Sequence, residues 1–197
     1  MFDNIRADIA VHRVLGTSWF ELAFSQGLAA TVQYRTARWI HLHFKIPVLR
    51  QILKLICFFW AKFVQVTCGV EIPARTTIGK GMYIGHFGNI IMHRDVVIGD
   101  YLGIAQGVTL GLGGSGDKVG TPVIGDFVFF APGSMALGPL KIGNRAHVCA
   151  NAVVTKDVPD DAMVGGVPAK IIRIRDPLET YRPWHPRSAF PFPQEES

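Results

Sequence analysis

Between residues 18 and 66, apolar residues recur at three- and four-residue spacings, which predicts amphipathic helices. Ser18 can cap the first of these helices, because Glu21 stands three residues later and completes a capping box. The last helical segment, 46–66, reads IPVLRQILKLICFFWAKFVQV. A short α-helical N-terminal region spanning residues 1–68 is therefore expected.

After Cys68 the period of the apolar residues becomes six, which fits neither an α-helix nor an ordinary alternating strand. It is typical of a hexapeptide solenoid, in which six residues form one flat face and three faces make a coil of about eighteen residues. We place a two-residue slip after Ile90. The predicted inward residues are Ile72, Ile78, Ile84, Ile90, Ile98, Ile104, Leu110, Ile124, Phe130, Ala136, Ile142, Val148 and Val154.

The fold class expected from this pattern is mainly β, a parallel β-helix over residues 69–175 followed by a tail at 176–197. One interruption lies between Leu110 and Ile124, which are fourteen positions apart where six are expected. Eight extra residues, within GLGGSGDKVGTP, must leave the coil as a loop. The glycine spacing matches neither a P-loop nor a Rossmann turn, and no helix follows, so both are excluded.

The charge is concentrated in the N-terminal third of the chain. Residues 1–66 carry eight Lys/Arg and three Asp/Glu, which accounts for the whole formal charge of +5. No dense basic run accompanies it, so nucleic acid is not an expected partner. Segment 46–66 is interrupted too often by basic residues for a simple spanning helix, but it suits a membrane surface. The alternative is a helix packed in a bundle or an oligomer interface.

The cysteine count indicates the cellular compartment. Three cysteines form a poor disulfide framework and show no close metal-ligand spacing, and no signal peptide is evident at the N-terminus. These features favour a reduced cytoplasmic setting. Contact of 46–66 with the inner membrane face is left open.

Four stretches carry a resemblance to a known family: EIPARTTIGKGMYIGH, VTLGLGG, PVIGDFVFFAPGSMALGPLKIGNRAHVCANAVVTKDVP and GGVPAKI. From Gly69 to Arg173 the chain resembles the serine acetyltransferase branch of the hexapeptide-repeat acyltransferases. GLAATVQYRTARW, at 27–39, is a weaker match. The resemblance implies a left-handed parallel β-helix, an exception to right-handed crossovers. It also implies a homotrimer, with pairing of trimers left open, and acetyl transfer from acetyl-CoA to a hydroxyl.

The resemblance gives His86 the role of catalytic base and Glu71 that of its carboxylate partner. The chemistry agrees, because a hydroxyl is too weakly acidic to attack a thioester unaided and a neutral imidazole can accept its proton. Fifteen positions separate the two residues, which allows them to lie on neighbouring coils around one corner. Glu71 would orient the imidazole and stabilise its protonated form.

Acetyl-CoA is expected in a groove between coils at the trimer interface, held mainly by backbone amides. The resemblance suggests residues beside the loop and at two later corners, and two lysines that could meet the phosphates. If the lysines are not ligands, they are simply solvated. The candidates are Leu112, Gly113, Gly114, Pro132, Ala150, Lys156 and Lys170.

The chain departs from the family at the substrate positions. Serine acetyltransferases generally place Asp before the catalytic His, where this chain has Gly85, and Arg-His before the proline that closes the loop, where it has Gly120 and Thr121. An N-terminal Asp of the family aligns loosely near His12. A site without these groups should bind zwitterionic serine poorly. We therefore expect a sugar hydroxyl of a surface polysaccharide precursor as acceptor, with Gly85 and Thr121 at its site.

Two alternatives to this function remain. One is L-serine acetylation leading towards cysteine, and the other is a trimeric scaffold without activity. No metal is expected, since His86 and His93 are seven positions apart, whereas the related three-histidine zinc sites of carbonic-anhydrase-like β-helices generally use ligands five apart. His93 and His147 are each expected at a solvated corner.

Overall fold

The structure is a computed structural model that describes residues 1–176. Four α-helices open the chain: α1 (Phe2–Val14), α2 (Trp19–Ala23), α3 (Gln26–His43) and α4 (Pro47–Cys68). The predicted capping box is confirmed at the start of α2, where the Glu21 N–H donates to Ser18 Oγ (3.2 Å) and the Ser18 N–H donates to Glu21 Oε2 (2.7 Å). The predicted tail lies outside the described residues from 177 onward.

Fifteen strands follow between residues 70 and 174 of the described chain, and all but the last pair in parallel with the strand one turn away along the coil. Sheet A has the order β1-β4-β7-β10-β13, sheet B β11-β8-β5-β2, and sheet C β15-β14-β12-β9-β6-β3. The chain therefore runs A, B, C and back to A, winding a three-sided coil. The strands are β1 (Val70–Glu71), β2 (Thr77–Ile78), β3 (Tyr83–Ile84), β4 (Ile90–Met92), β5 (Val97–Ile98), β6 (Gly103–Ile104), β7 (Thr109–Gly111), β8 (Val123–Ile124), β9 (Phe129–Phe130), β10 (Met135–Leu137), β11 (Lys141–Ile142), β12 (His147–Val148), β13 (Val153–Val154), β14 (Ala162–Gly165) and β15 (Lys170–Ile174).

The core lies along the axis of the coil. All thirteen residues predicted to face inward are buried, none more than 8% exposed, so the six-residue period is confirmed as the pattern of the core. The slip, however, is not where the sequence suggested. Ile84 pairs with Ile104 and Met92 with Leu110, so the eight positions from Ile84 to Met92 match six in the next coil. The two extra residues lie before Met92 and not after Ile90.

Helix α3 covers the first coil by hydrogen bonding to its free carbonyls. Tyr34 Oη donates to the Thr76 carbonyl (2.7 Å), Arg35 Nη1 to the Ile78 carbonyl (2.8 Å) and Arg38 Nη1 to the Thr76 carbonyl (2.6 Å). These oxygens lie at the end of sheet B, where no further strand can bind them. The helical region thus satisfies backbone groups that would otherwise be left unpaired.

Candidate active site at the corner of sheets C and A

The two extra residues of the first coil fall in the corner that carries His86. This corner joins β3 of sheet C to β4 of sheet A, and we call it, with its repeats in later coils, the C-to-A corner. His86 and Phe87 are exposed there, and Gly88 adopts a positive φ of 110°. A bulged corner places its side chains outside the regular stack, which suits a group that must reach a substrate.

Register places two predicted cofactor ligands on the same ridge as His86. Gly85 N–H donates to the Ile104 carbonyl, and the same hydrogen-bonding pattern continues through Ala105 and Ala131 in later coils. The residues two positions after the paired strands of sheet C stack on one another and form a ridge along this corner. They are His86, Gln106, Pro132 and Ala150. With about 4.8 Å per step, Ala150 lies about 14 Å from His86 along the ridge.

The remaining predicted cofactor ligands lie mainly at the opposite edge of sheet A, which we call the A-to-B corner. Leu112 leaves β7 there, and Gly113 and Gly120 close the base of the extra loop by reciprocal hydrogen bonds of 3.0 Å. Lys156 occupies the equivalent corner after β13, because Val154 pairs through Ala136 with Leu110. The predicted ligands thus flank both sides of one sheet.

Lys170 lies apart from both corners. It is exposed at the start of β15, opposite Gly165 of sheet C. The preceding residue is linked to sheet A, since the Ala169 N–H donates to the Val153 carbonyl (2.8 Å). The closing segment therefore passes over the last strand of sheet A and leaves Lys170 beside it.

Glu71 heads the outer row of sheet A. It pairs with Ile91, and the row continues through Thr109, Met135 and Val153. The Ile90 N–H donates to the Gly69 carbonyl (2.9 Å), which brings β1 against the bulged corner. The Glu71 carboxylate accepts a hydrogen bond from Gln65 Nε2 (2.6 Å), and in the described part of the chain none joins it to His86.

The two predicted substrate residues are separated within one chain. Gly85 lies at the C-to-A corner, whereas Thr121 lies at the A-to-B corner, where its Oγ1 donates to the Asp95 carbonyl (3.0 Å).

The two other histidines of the coil differ in their surroundings. His93 lies near the A-to-B corner, and its Nδ1 accepts a hydrogen bond from the Asp95 N–H (3.3 Å). The solvated corner expected for His147 is wrong: it stands half-buried on β12, its ring 5.1 Å from that of Phe129.

Comparisons with known proteins point to one family. The chain is 32% identical over 148 residues to a serine acetyltransferase of Synechococcus elongatus, covering 74% of this chain and 57% of that protein. A crystal structure of the Vibrio cholerae serine acetyltransferase matches with a TM-score of 0.75 and 28% identity, covering 89% of this chain and 66% of that one. A serine acetyltransferase solved in complex with CoA gives 0.71 and 28%, covering 86% and 68%. No family model matches the chain.

In both sequence and fold, the chain is similar to the serine acetyltransferase branch of the hexapeptide-repeat acyltransferases. It spans 57% of the length of the Synechococcus relative and 60% of a Mycobacterium tuberculosis relative that is 34% identical. The matched length includes the coil and part of the helical region.

A cavity of about 360 Å³ adjoins the C-to-A corner. Helices α1 and α2 form one wall and β3 the other, with Gly85 at the rim beside His86. The rim leaves little space for a side chain at position 85, because a Cβ on Gly85 would lie 3.0 Å from Tyr83 Cε1. The lining residues are His12, Leu15, Gly16, Thr17, Glu21, Ser25, Tyr83, Ile84 and Gly85.

His12 lies in the wall formed by α1. The sequence indicated this position only through its loose alignment with an N-terminal Asp of the family. His12 is 3% exposed, its Nδ1 donates to the Asp8 carbonyl (2.9 Å), and its ring meets that of Tyr83 edge-on at 4.8 Å. Burial lowers the pKa of His12, so the ring is neutral at neutral pH. Its Nε2 is then an acceptor, and it has no hydrogen-bond partner within the described residues.

A buried ion pair that the sequence did not reveal holds α1 in this position. Arg35 of α3 donates to both carboxylate oxygens of Asp8, at 2.9 and 3.0 Å, and the Met82 N–H donates to Asp8 Oδ1 (2.7 Å). The pair thus ties α1, α3 and the residue before β3 together. Asp8 and His12 stand four positions apart, on one face of α1, so the same pair also sets the position of His12.

Proposed function

We propose that this chain is an O-acetyltransferase that moves the acetyl group of acetyl-CoA to an acceptor hydroxyl, with His86 as general base. The observation that carries the proposal is the ridge on which His86, Pro132 and Ala150 stack. A cofactor lying along this ridge would bring its thioester to His86 while its remainder runs past later coils. The serine acetyltransferase solved with CoA supports the choice of cofactor.

The reaction balances with His86 as the only proton carrier. The acceptor oxygen attacks the thioester carbonyl carbon as Nε2 or Nδ1 of His86 takes the hydroxyl proton. The tetrahedral intermediate then expels the CoA sulfur, which recovers that proton from the imidazolium. An acetyl ester and the free thiol of CoA are formed. Glu71 must exchange its hydrogen bond from Gln65 for one from His86 to act as the orienting carboxylate.

We further propose that the coil is left-handed and that three chains assemble side by side. In one chain, His86 and Gly85 lie on one edge of sheet A, and Leu112 and Thr121 on the other. A trimer with parallel coil axes would set the C-to-A corner of one protomer against the A-to-B corner of the next. Each site would then be completed by the neighbouring chain, with Lys156 and Lys170 available for the cofactor phosphates.

The acceptor that the comparisons favour is L-serine, so they replace the sugar expected from the sequence as the first candidate. The sugar hydroxyl stays as a second candidate on one observation. The cavity beside His86 presents Gly85 and a neutral His12 where the family resemblance led us to expect carboxylates. Glu21 is the carboxylate in its lining, and its side chain is already bound in the capping box.

Acceptor fragments test this assignment directly. Thiol release from acetyl-CoA would be compared for L-serine, for ethanolamine, which lacks the carboxylate, for 3-hydroxypropionate, which lacks the ammonium group, and for a methyl hexoside. An enzyme built for serine requires both charged groups and leaves the two fragments and the sugar near background. Preference for the hexoside would overturn serine and restore the sugar.

A further inference from the structure

Helix α4 exposes an unbroken apolar stripe. Its members follow one another at spacings of three and four residues, and each is at least half exposed. The stripe covers about 27 Å at 1.5 Å per residue. It consists of Val48, Ile52, Leu55, Phe59, Phe63 and Val66.

The other side of α4 is held by the folded chain. Lys54, Cys57 and Ala61 face residues of α3 across one cavity, and Val64 and Cys68 are buried. The helix is long and apolar enough to cross a membrane by length and composition. Since one of its sides is attached to α3, however, only the outer side of the helix, which carries the stripe, is free to meet a lipid phase. This geometry suits a helix lying in the plane of a membrane surface.

The charges around α4 discriminate between two possible occupants. Residues 22–70 contain six Lys/Arg and no Asp/Glu. Lys45, just before the helix, and Lys62, within it, are exposed. A second copy docking through its own α4 would bring these cations together with no acidic side chain from either segment, which is unfavourable. Anionic lipid headgroups would instead neutralise them and leave the stripe for the acyl boundary.

We propose that α4 binds an anionic membrane surface, with the stripe inserted at the boundary between headgroups and acyl chains. The inference does not depend on the acceptor or on catalysis. It places the C-to-A corner of a membrane-bound chain within reach of acceptors at that surface, because α4 leads directly into β1.

Co-sedimentation of the full chain with vesicles tests the proposal. One set of vesicles is pure phosphatidylcholine, and the other contains about a quarter phosphatidylglycerol. We expect binding to the anionic vesicles only, weakened by raised salt. The double variant Phe59→Glu/Phe63→Glu should lower the partition coefficient into anionic vesicles at least about tenfold. Each change removes a large apolar side chain that would be buried in the membrane of the bound state. Val97→Glu/Ile172→Glu makes the same charge change at exposed apolar positions outside α4 and should bind as the unchanged chain does.

The molar mass of each variant, measured by light scattering, separates the membrane from a second copy. An unchanged mass with lost vesicle binding supports the proposal. A lower mass for Phe59→Glu/Phe63→Glu would show that α4 packs between copies, and would overturn it. Failure of the unchanged chain to bind anionic vesicles, or equal binding to both kinds, would overturn it as well.

Discussion

Gly85 lies against the ring of Tyr83, so that a Cβ at position 85 would be 3.0 Å from Tyr83 Cε1. This contact sits at the rim of the cavity next to His86. A side chain at position 85 therefore fits only if the Tyr83 ring moves by a few tenths of an ångström, and it would then lie beside His86.

Gly85→Asp should raise kcat/KM for an acceptor with an ammonium group about tenfold, because a charge-assisted hydrogen bond is worth about 1.5–3 kcal/mol. Steady-state kinetics with L-serine and with an uncharged alcohol measure the effect. Gly85→Asn is the matched control, with the same shape and no charge. An equal gain in kcat/KM for Gly85→Asn, or for the uncharged alcohol, would show that the carboxylate charge is not the cause of the effect.

The Asp8–Arg35 pair predicts a large loss of stability when one partner is removed. Arg35→Met leaves a buried carboxylate without its cation, which costs about 3–5 kcal/mol of unfolding free energy. Urea denaturation at a fixed protein concentration measures it. The exposed pair Arg75–Asp95, at 3.4 Å, supplies the control: Arg75→Met should cost no more than about 1 kcal/mol. Similar losses in both variants would contradict the buried pair's role.

The burial of His147 predicts that the free energy of unfolding decreases in acid. Burial, with a smaller contribution from Arg175, lowers the pKa of His147 to about 4, below its ordinary value of 6.5. Between these values the unfolded chain binds more protons than the folded one, so the stabilisation is complete above pH 6.5 and is lost as pH falls towards 4. His12, whose pKa is also lowered by burial, acts in the same direction.

The variant His147→Phe removes this part of the pH dependence. The difference in unfolding free energy between pH 7 and pH 4 should shrink, by less than about 3 kcal/mol because the side chain is partly exposed. Urea titrations at both pH values give the difference for each protein. An unchanged difference would show that His147 does not contribute.

The loop at the A-to-B corner predicts an effect on cofactor binding alone. Gly114 has a φ of 96°, and a Cβ there would lie 2.0 Å from the Lys118 carbonyl oxygen. Gly114→Ala should raise KM for acetyl-CoA about tenfold, since strain of order 1–3 kcal/mol must distort the base of the loop. Gly116→Ala, also at positive φ but with no atom within 4 Å of its Cβ, should change KM less. Equal changes in KM for the two variants would show that the conformation at the base of the loop does not affect cofactor binding.

The core of the coil follows from the local sequence pattern, whereas the position of the two extra residues does not. All thirteen residues located from the six-residue period face the core of the coil, because each coil repeats the same burial. The slip was misplaced because Ile90 and Met92 both point inward on β4, so the period alone could not show which one keeps register with the next coil. The bulge at His86 became visible only through strand pairing.

The helical region shows the opposite case. Asp8 and Arg35 are 27 positions apart on different helices, and no periodicity relates them. The position of His12 beside Gly85 likewise follows from how α1 packs on β3. Such contacts depend on tertiary packing, which a single sequence does not specify through spacing. The sequence could place His86 at a corner of the coil, but not the cavity beside it.

The most direct test of the account is release of CoA thiol from acetyl-CoA by His86→Ala, with L-serine or a sugar as acceptor. Loss of a general base should lower kcat about 10²–10⁴-fold. Acetyl-CoA binding and the molar mass should be unchanged, and His43→Ala, an exposed position on α3 away from both corners, should retain far more activity. Release by His86→Ala at the rate of the unchanged chain would contradict the role of His86 and the mechanism built on it.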